Sequence, residues 1–281
     1  MLRRSRVFGA FCLALLAAPS RSPASGSAPP PRDSSRAPLA LGAQDFVWIP
    51  SSIILAVPAQ IRYRDMAPAD TNDLDADRDL WAIDRWAAGT YSPAAALASD
   101  ALIFPLLVLP MAATAWDSHK GNQSWRAAFE DAVVYGEACA LSSSLDLLAR
   151  SARVHPRPLV YGKDVPADER LSGEASGSFY SGHANGAFLS AVYFSYTYSL
   201  RHPESDLRGW LWAGSLGTAA AVSGLRVAAG KHYLSDVVIG AAAGSFFGWI
   251  FPYMHRSEAS GLRLGMAIGG STAYPVLAWR F

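Results

Sequence analysis

Apolar residues along this chain gather into runs of helical length separated by short polar breaks. Pro93–Trp116, Trp125–Leu148, Ala184–Leu200, Trp210–Val227 and Ser235–Met254 each predict a helix near the ~20 residues that a bilayer crossing needs. Trp116, Trp125, Trp210 and Tyr253 stand at the ends of these runs, where a membrane interface accommodates an amphipathic ring. Gly214, Gly217 and Gly224, then Gly240, Gly244 and Gly248, thin the last two runs, and small residues let helices approach closely. The Trp125–Leu148 run also holds Glu130, Asp131, Glu137 and Asp146, too many charges for a helix that faces lipid. They are expected to face a bundle interior or an aqueous cleft. The pattern predicts an all-α multi-helix bundle embedded in a membrane, with a soluble all-α bundle as the alternative.

The flanks read differently. Arg3, Arg4 and Arg6 precede the apolar run Val7–Ala18, and a stretch rich in Ser, Pro and Ala follows through Arg36. This predicts a signal peptide over residues 1–28 and a flexible linker over 29–45, with an uncleaved anchor as the alternative. Phe46–Gln60 is apolar but broken by Pro50 and Pro58, so a helical region over 46–89 is expected to stop short of spanning. Asp65–Arg85 is acidic and polar, with a helical tail around Leu80–Trp86. The main bundle is placed at 90–256. Residues 257–281 alternate, with Leu262, Leu264, Met266 and Ile268 ahead of Gly269-Gly270-Ser271, then Val276 and Ala278, and predict a short β-hairpin tail.

Composition narrows the class. Hydrophobic residues make up 51% of the 281 and charged residues 17%, which suits an apolar protein. The net charge of +1 gives nucleic acid nothing to bind. Cys12 lies inside the N-terminal run, which leaves Cys139 without a partner in a processed chain.

The candidate chemistry sits in three short clusters. Arg150 is followed seven residues on by Arg157-Pro158. Ser181-Gly182-His183 opens the Ala184–Leu200 run. Arg226 ends the next run, and His232 and Asp236 open the last. An up-down bundle brings all of these helix ends to one side. Guanidinium groups fit phosphate oxygens in pairs, and Arg150, Arg157 and Arg226 supply three of them. The backbone N–H groups at Gly182–His183 and the Ser181 hydroxyl offer donors at a helix N-terminus. A histidine near neutral pH can attack phosphorus or donate a proton, which suits His232 and His183. Asp236, four residues after His232 on the same helical face, is placed to hold its tautomer. No cysteine or acidic cluster in these motifs suits a metal, and no cofactor is expected. His155, His202 and His255 read as surface or loop residues, and Asp100, Asp131, Glu137 and Asp146 as bundle polars. Lys163 and Arg170, between the first two clusters, read as solvated charges or as contacts for a headgroup.

These clusters resemble the three-motif signature of the type 2 phosphatidic acid phosphatase superfamily, which includes bacterial acid phosphatases and vanadium haloperoxidases. The family pattern is Lys-x6-Arg-Pro, then Pro-Ser-Gly-His, then Ser-Arg-x5-His-x3-Asp, and the similarity covers about Thr90 to Met254. The resemblance implies a helical bundle of the acid phosphatase and haloperoxidase type, working without a metal. It makes His232 the nucleophile that forms a phosphohistidine, Asp236 its orienting partner and His183 the acid. It assigns phosphate binding to Arg150, Arg157, Ser181, Gly182 and Arg226. Three positions depart from the pattern: Arg150 stands for Lys, Tyr180 for Pro and Leu225 for Ser.

The resulting expectation is a metal-independent phosphatase of phosphomonoesters or pyrophosphates, with phosphatidic acid, another lipid phosphate or a polyprenyl pyrophosphate as the substrate class. A lipid phosphotransferase, a vanadium-dependent haloperoxidase and an inactive lipid-headgroup binder are the alternatives. Lys120, Arg126, Arg201, Arg208 and Arg256 at the ends opposite the clusters predict a membrane-associated protein of the bacterial envelope whose site faces the periplasm. A soluble periplasmic protein is the alternative.

Overall fold

The computed structural model describes residues 39–42, 45–71 and 74–256, and the backbone of 262–269 and 272–279. The expected signal peptide and most of the linker lie outside the described residues.

Helices α1 (Asp45–Arg64), α3 (Pro93–His119), α4 (Trp125–Ser151), α6 (Gly182–Arg201), α7 (Arg208–Ala228) and α8 (Leu234–Met254) form the bundle; α2 (Ala76–Asp79) and α5 (Ala167–Arg170) are single turns in the connections. Side-chain caps set several starts. Ser92 accepts from Ala95 N–H at 3.3 Å, Ser124 from Ala127 N–H at 3.1 Å and Ser181 from Ala184 N–H at 3.3 Å. At the start of α8, Asp236 accepts from Tyr233 N–H at 2.9 Å, while Asp84 accepts from Ser235 N–H at 3.0 Å and from its hydroxyl at 2.6 Å. After α8 the backbone of β1 (Leu262–Gly269) and β2 (Thr272–Trp279) pairs antiparallel, with Leu262 opposite Trp279 and Gly269 opposite Thr272.

α1 is helical as expected, and the break expected at its prolines is not seen. It continues as one helix through Pro50 and Pro58 and lies along α4. Its first residue, Asp45, meets His255 at the end of α8; the Ser52 carbonyl accepts from Ser144; and Tyr63 meets Arg150. α1 therefore carries the chain from the far end of the bundle to the end that holds the motifs. Ile53, Ile54, Val57 and Ile61 stay exposed on its outer side.

α6 and α8 pack most closely, and α8 glycines set the distance. A Cβ on Gly240 would lie 2.6 Å from the Ser181 carbonyl, on Gly244 2.1 Å from the Asn185 carbonyl and on Gly248 2.4 Å from the Leu189 carbonyl. Spaced four apart, they form one face over the α6 backbone. That contact also seats the start of α6 beside the start of α8, where Ser181 N–H donates to the Asp236 carbonyl at 3.2 Å. Gly244→Ala is expected to lower the unfolding free energy in detergent by an amount at or above the upper end of about 1–3 kcal/mol. Gly217→Ala, whose new Cβ meets nothing within 4 Å, serves as the neutral comparison.

The bundle is polar inside and apolar outside along much of its length. Leu97 and Phe104 of α3 and Phe246 of α8 are exposed, whereas Glu130, Asp131, Glu137 and Asp146 of α4 are buried. Arg201 donates to Asp117 at 2.9 Å and to Asp131 at 2.7 Å, and Thr114 donates to Asp131 at 2.7 Å. His202, in the loop after α6, joins this network 2.9 Å from Asp117. Among the described residues, α3, α4 and α8 are long and apolar enough to cross a membrane.

Candidate active site

The site forms where α4, α6, α7 and α8 end or begin together. Arg150, near the end of α4, donates through Nη1 to the Tyr63 hydroxyl at 3.3 Å, stacks over that ring at 4.7 Å and pairs through Nη2 with Asp146. Arg157 lies in the loop that follows. Its backbone N–H donates to the Ala175 carbonyl at 2.8 Å, and its Nη1 lies 3.5 Å from Glu174. Arg226, at the end of α7, donates to Ser99 Oγ at 3.1 Å and to Asp100 Oδ1 at 3.2 Å. Each guanidinium thus rests on a carboxylate and keeps a buried Nε without a partner. Glu174 and Asp100 are 61% and 57% exposed at their side chains, so an incoming anion can displace both into solvent. Asp146 is buried and stays with Arg150.

Ser181 is fully buried as the cap of α6, which aims the first N–H groups of that helix toward the arginines. Gly182 has no room for a side chain. A Cβ there would lie 2.7 Å from Asp146 Oδ2 and 3.2 Å from Arg150 Nη2. His183, in the first turn, lies with Nε2 2.7 Å from Asp100 Oδ1. Asp100 therefore links His183 to Arg226 and is a site residue rather than a bundle polar.

His232 is buried just before α8, with Nδ1 2.9 Å from the Ser178 carbonyl. A carbonyl only accepts, so the proton belongs on Nδ1 and the lone pair on Nε2. Asp236 Oδ2 lies 3.7 Å from the same Nδ1, further off than the carbonyl. Asp236 acts one step back. Its Oδ2 accepts from the Ser178 hydroxyl and from Tyr233 N–H, holding the two segments on either side of His232. The second oxygen of Asp236 lies 3.5 Å from Nε2 of His155, a buried ring packed edge-on against Trp81, Phe179 and Tyr233. His155 is thus a loop residue, as expected, but a buried one. Lys163 is exposed, and Arg170 is partly buried.

Burial pushes the His232 imidazole down to about 3, with Arg157 and Arg226 acting in the same direction against Asp236. A histidine in the unfolded chain takes its proton near its ordinary value of 6.5. Between these values the unfolded chain binds the extra proton, so stability falls as pH drops through this window and is level above it. The unfolding midpoint of the wild type is expected to fall more steeply than that of His232→Asn between about pH 6.5 and about pH 4.

The eight motif residues come together at one end of the bundle, while Tyr63, Asp100, His155, Glu174 and Ser178 join them unannounced by any motif. Asp100 left the one legible signal, an isolated acid within an apolar helical run.

A buried histidine, three arginines and a capped helix N-terminus thus lie together at one end of an apolar helical bundle. Residues 132–259 match the family model of the PAP2 superfamily. A solved structure described as the first transmembrane PAP2 type phosphatidylglycerolphosphate phosphatase from Bacillus subtilis is similar over 75% of this chain and 94% of its own, at 19% identity and a TM-score of 0.42. No curated protein matches the chain.

Proposed function

We propose that this protein is a phosphatase of lipid phosphates or pyrophosphates that works through a phosphohistidine on His232. The observation that carries the reading is the His232 ring, held by the Ser178 carbonyl so that Nε2 keeps its lone pair, beside Arg157 and Arg226. The Nε2 lone pair attacks phosphorus, and the bond from phosphorus to the ester oxygen breaks. The leaving oxygen takes the Nε2 proton of His183, which faces Asp100 when no substrate is bound. His183 then takes a proton from water, the hydroxide attacks phosphorus, and the electron pair of the P–N bond returns to His232. Arg150, Arg157, Arg226 and the N–H groups of α6 balance the charge on the equatorial oxygens throughout. That donor set supplies the neutralisation a metal would otherwise provide, in line with the metal-free chemistry of the family resembled.

The exposed apolar sides of α1, α3 and α8 support a substrate that arrives through the bilayer. The test is phosphate release by the purified protein from a long-chain lipid phosphate, a polyprenyl pyrophosphate and a water-soluble phosphomonoester. Faster turnover of the lipid substrates is expected. Turnover of the soluble ester alone would overturn the lipid assignment, and no release from any of them would overturn the enzyme.

We place the site on the periplasmic face, supported by Lys120, Arg126 and Arg208 at helix ends on the other side; Arg201 drops out of that set because its guanidinium is buried on Asp117 and Asp131. The path of α1 ties this orientation to the N-terminus. If α1 crosses with the bundle, a translocated and cleaved N-terminus would put the site in the cytoplasm, so a periplasmic site requires residues before α1 to stay inside. Lys163→Cys, exposed beside the site, is expected to react with a membrane-impermeant maleimide in intact cells. Labelling only after lysis would place the site inside.

A further inference from the structure

A second buried polar cluster lies at the opposite end of the bundle. Asp45 opens α1, Glu137 lies in the middle of α4 and His255 follows α8, and one donor atom from each lies within 4.8 Å of the others. Their exposures are 7%, 3% and 1%. His255 Nδ1 lies 2.7 Å from the Phe251 carbonyl, so its proton belongs there and a neutral ring presents a lone pair at Nε2. That atom faces Asp45 Oδ1 at 2.6 Å and Glu137 Oε2 at 3.6 Å. The 2.6 Å contact holds a proton on Nε2; once that proton is released, three acceptors converge on one point. Asp45 Oδ2 accepts from Gly42 N–H at 2.6 Å, whereas both Glu137 oxygens are buried without a hydrogen-bond partner among the described residues.

Charge sharpens the point. Two carboxylates face at most one imidazolium, inside a shell that includes Leu39, Val134, Ala138 and Phe251. A buried carboxylate with neither partner nor cation is strongly disfavoured. A divalent cation balances both carboxylates with the histidine neutral. It also gives Glu137 the partner it lacks. One imidazole nitrogen and two carboxylate oxygens form a donor set that zinc and neighbouring first-row cations accept. The Phe251 carbonyl on Nδ1 and the Gly42 N–H on Asp45 are the outer contacts that orient such ligands.

We propose that Asp45, Glu137 and His255 bind a first-row divalent cation, of the zinc class, in a structural site. The ion fastens the start of α1 to α4 and to the end of α8. It lies roughly 30 Å along α8 from His232, given 1.5 Å of rise per residue, and so takes no part in phosphoryl transfer. Sequence reading passed over it because its three ligands come from separate segments and share no spacing motif.

The test uses the untagged full-length protein in detergent, equilibrated with Zn²⁺ and passed through gel filtration. Elemental analysis is expected to find about one zinc per chain, and Zn²⁺ is expected to raise the unfolding midpoint. Glu137→Gln, which keeps the side-chain shape, and His255→Ala should each lose both the bound zinc and the midpoint shift. The Glu137→Gln protein should still release phosphate, which separates this site from the phosphate site. If His255→Ala does not fold, Glu137→Gln alone decides. Absence of stoichiometric zinc and, in a parallel equilibration, of manganese would overturn the proposal, leaving a shared proton in the cluster. Zinc retained by Glu137→Gln would overturn it equally.

Discussion

His232→Ala is expected to abolish phosphate release, by about 10⁴-fold or more, because it removes the atom that bonds to phosphorus. No other described side chain stands in its place with a lone pair held ready by the Ser178 carbonyl. The phosphoenzyme trapped by acid quench from labelled substrate should vanish with it, while the unfolding midpoint near neutral pH stays close to that of the wild type. Trapped phosphoenzyme in the His232→Ala protein would assign the nucleophile elsewhere. Retained turnover without any phosphoenzyme would replace the two-step reaction with direct attack by water.

His183→Ala is expected to slow turnover of alkyl and lipid phosphates by about 10²- to 10⁴-fold, the range typical of losing a general acid. The effect should depend on the leaving group. An aryl phosphate with an acidic phenol needs little protonation, so its phosphorylation step should be far less affected. Asp100→Asn tests the supporting contact, since Asp100 holds Nε2 of His183 and also meets Arg226. It should lower turnover less than His183→Ala and shift the pH at which activity is lost on the alkaline side downward, because a carboxylate favours the protonated imidazole. An equal loss on aryl and alkyl substrates would show that His183 binds phosphate instead of donating the proton.

Asp236 was legible as the partner of His232 because helix geometry puts residues four apart on one face. Yet that geometry does not measure a side chain's reach, and a backbone carbonyl from the loop before α6 came closer. Asp100 read as a polar residue inside the bundle because its partners lie 83 and 126 positions further along the chain. His155 and His255 carried no local signal at all, since burial is fixed by what packs over a residue from other segments. α1 shows the same limit in backbone form. Pro50 and Pro58 argued for an interrupted segment, but packing along α4 outweighs the lost hydrogen bonds and keeps the helix continuous.

What the sequence by itself determined is the kind of chemistry and its scaffold. Long apolar runs with acids on one run call for an apolar exterior and a buried place for those acids, and the spacing of Arg150, Arg157, Ser181, Gly182, His183, Arg226, His232 and Asp236 marks them as candidates for an anion site at helix ends. Those are local properties, set by the helical period and by what each side chain can donate or accept. Only the tertiary structure decided which carboxylate rests on which arginine, which oxygen fixes the tautomer of His232, and that Asp45, Glu137 and His255 meet at all. Such contacts depend on how closely α6 settles on the glycine face of α8 and on where α1 runs, distances that no one segment encodes.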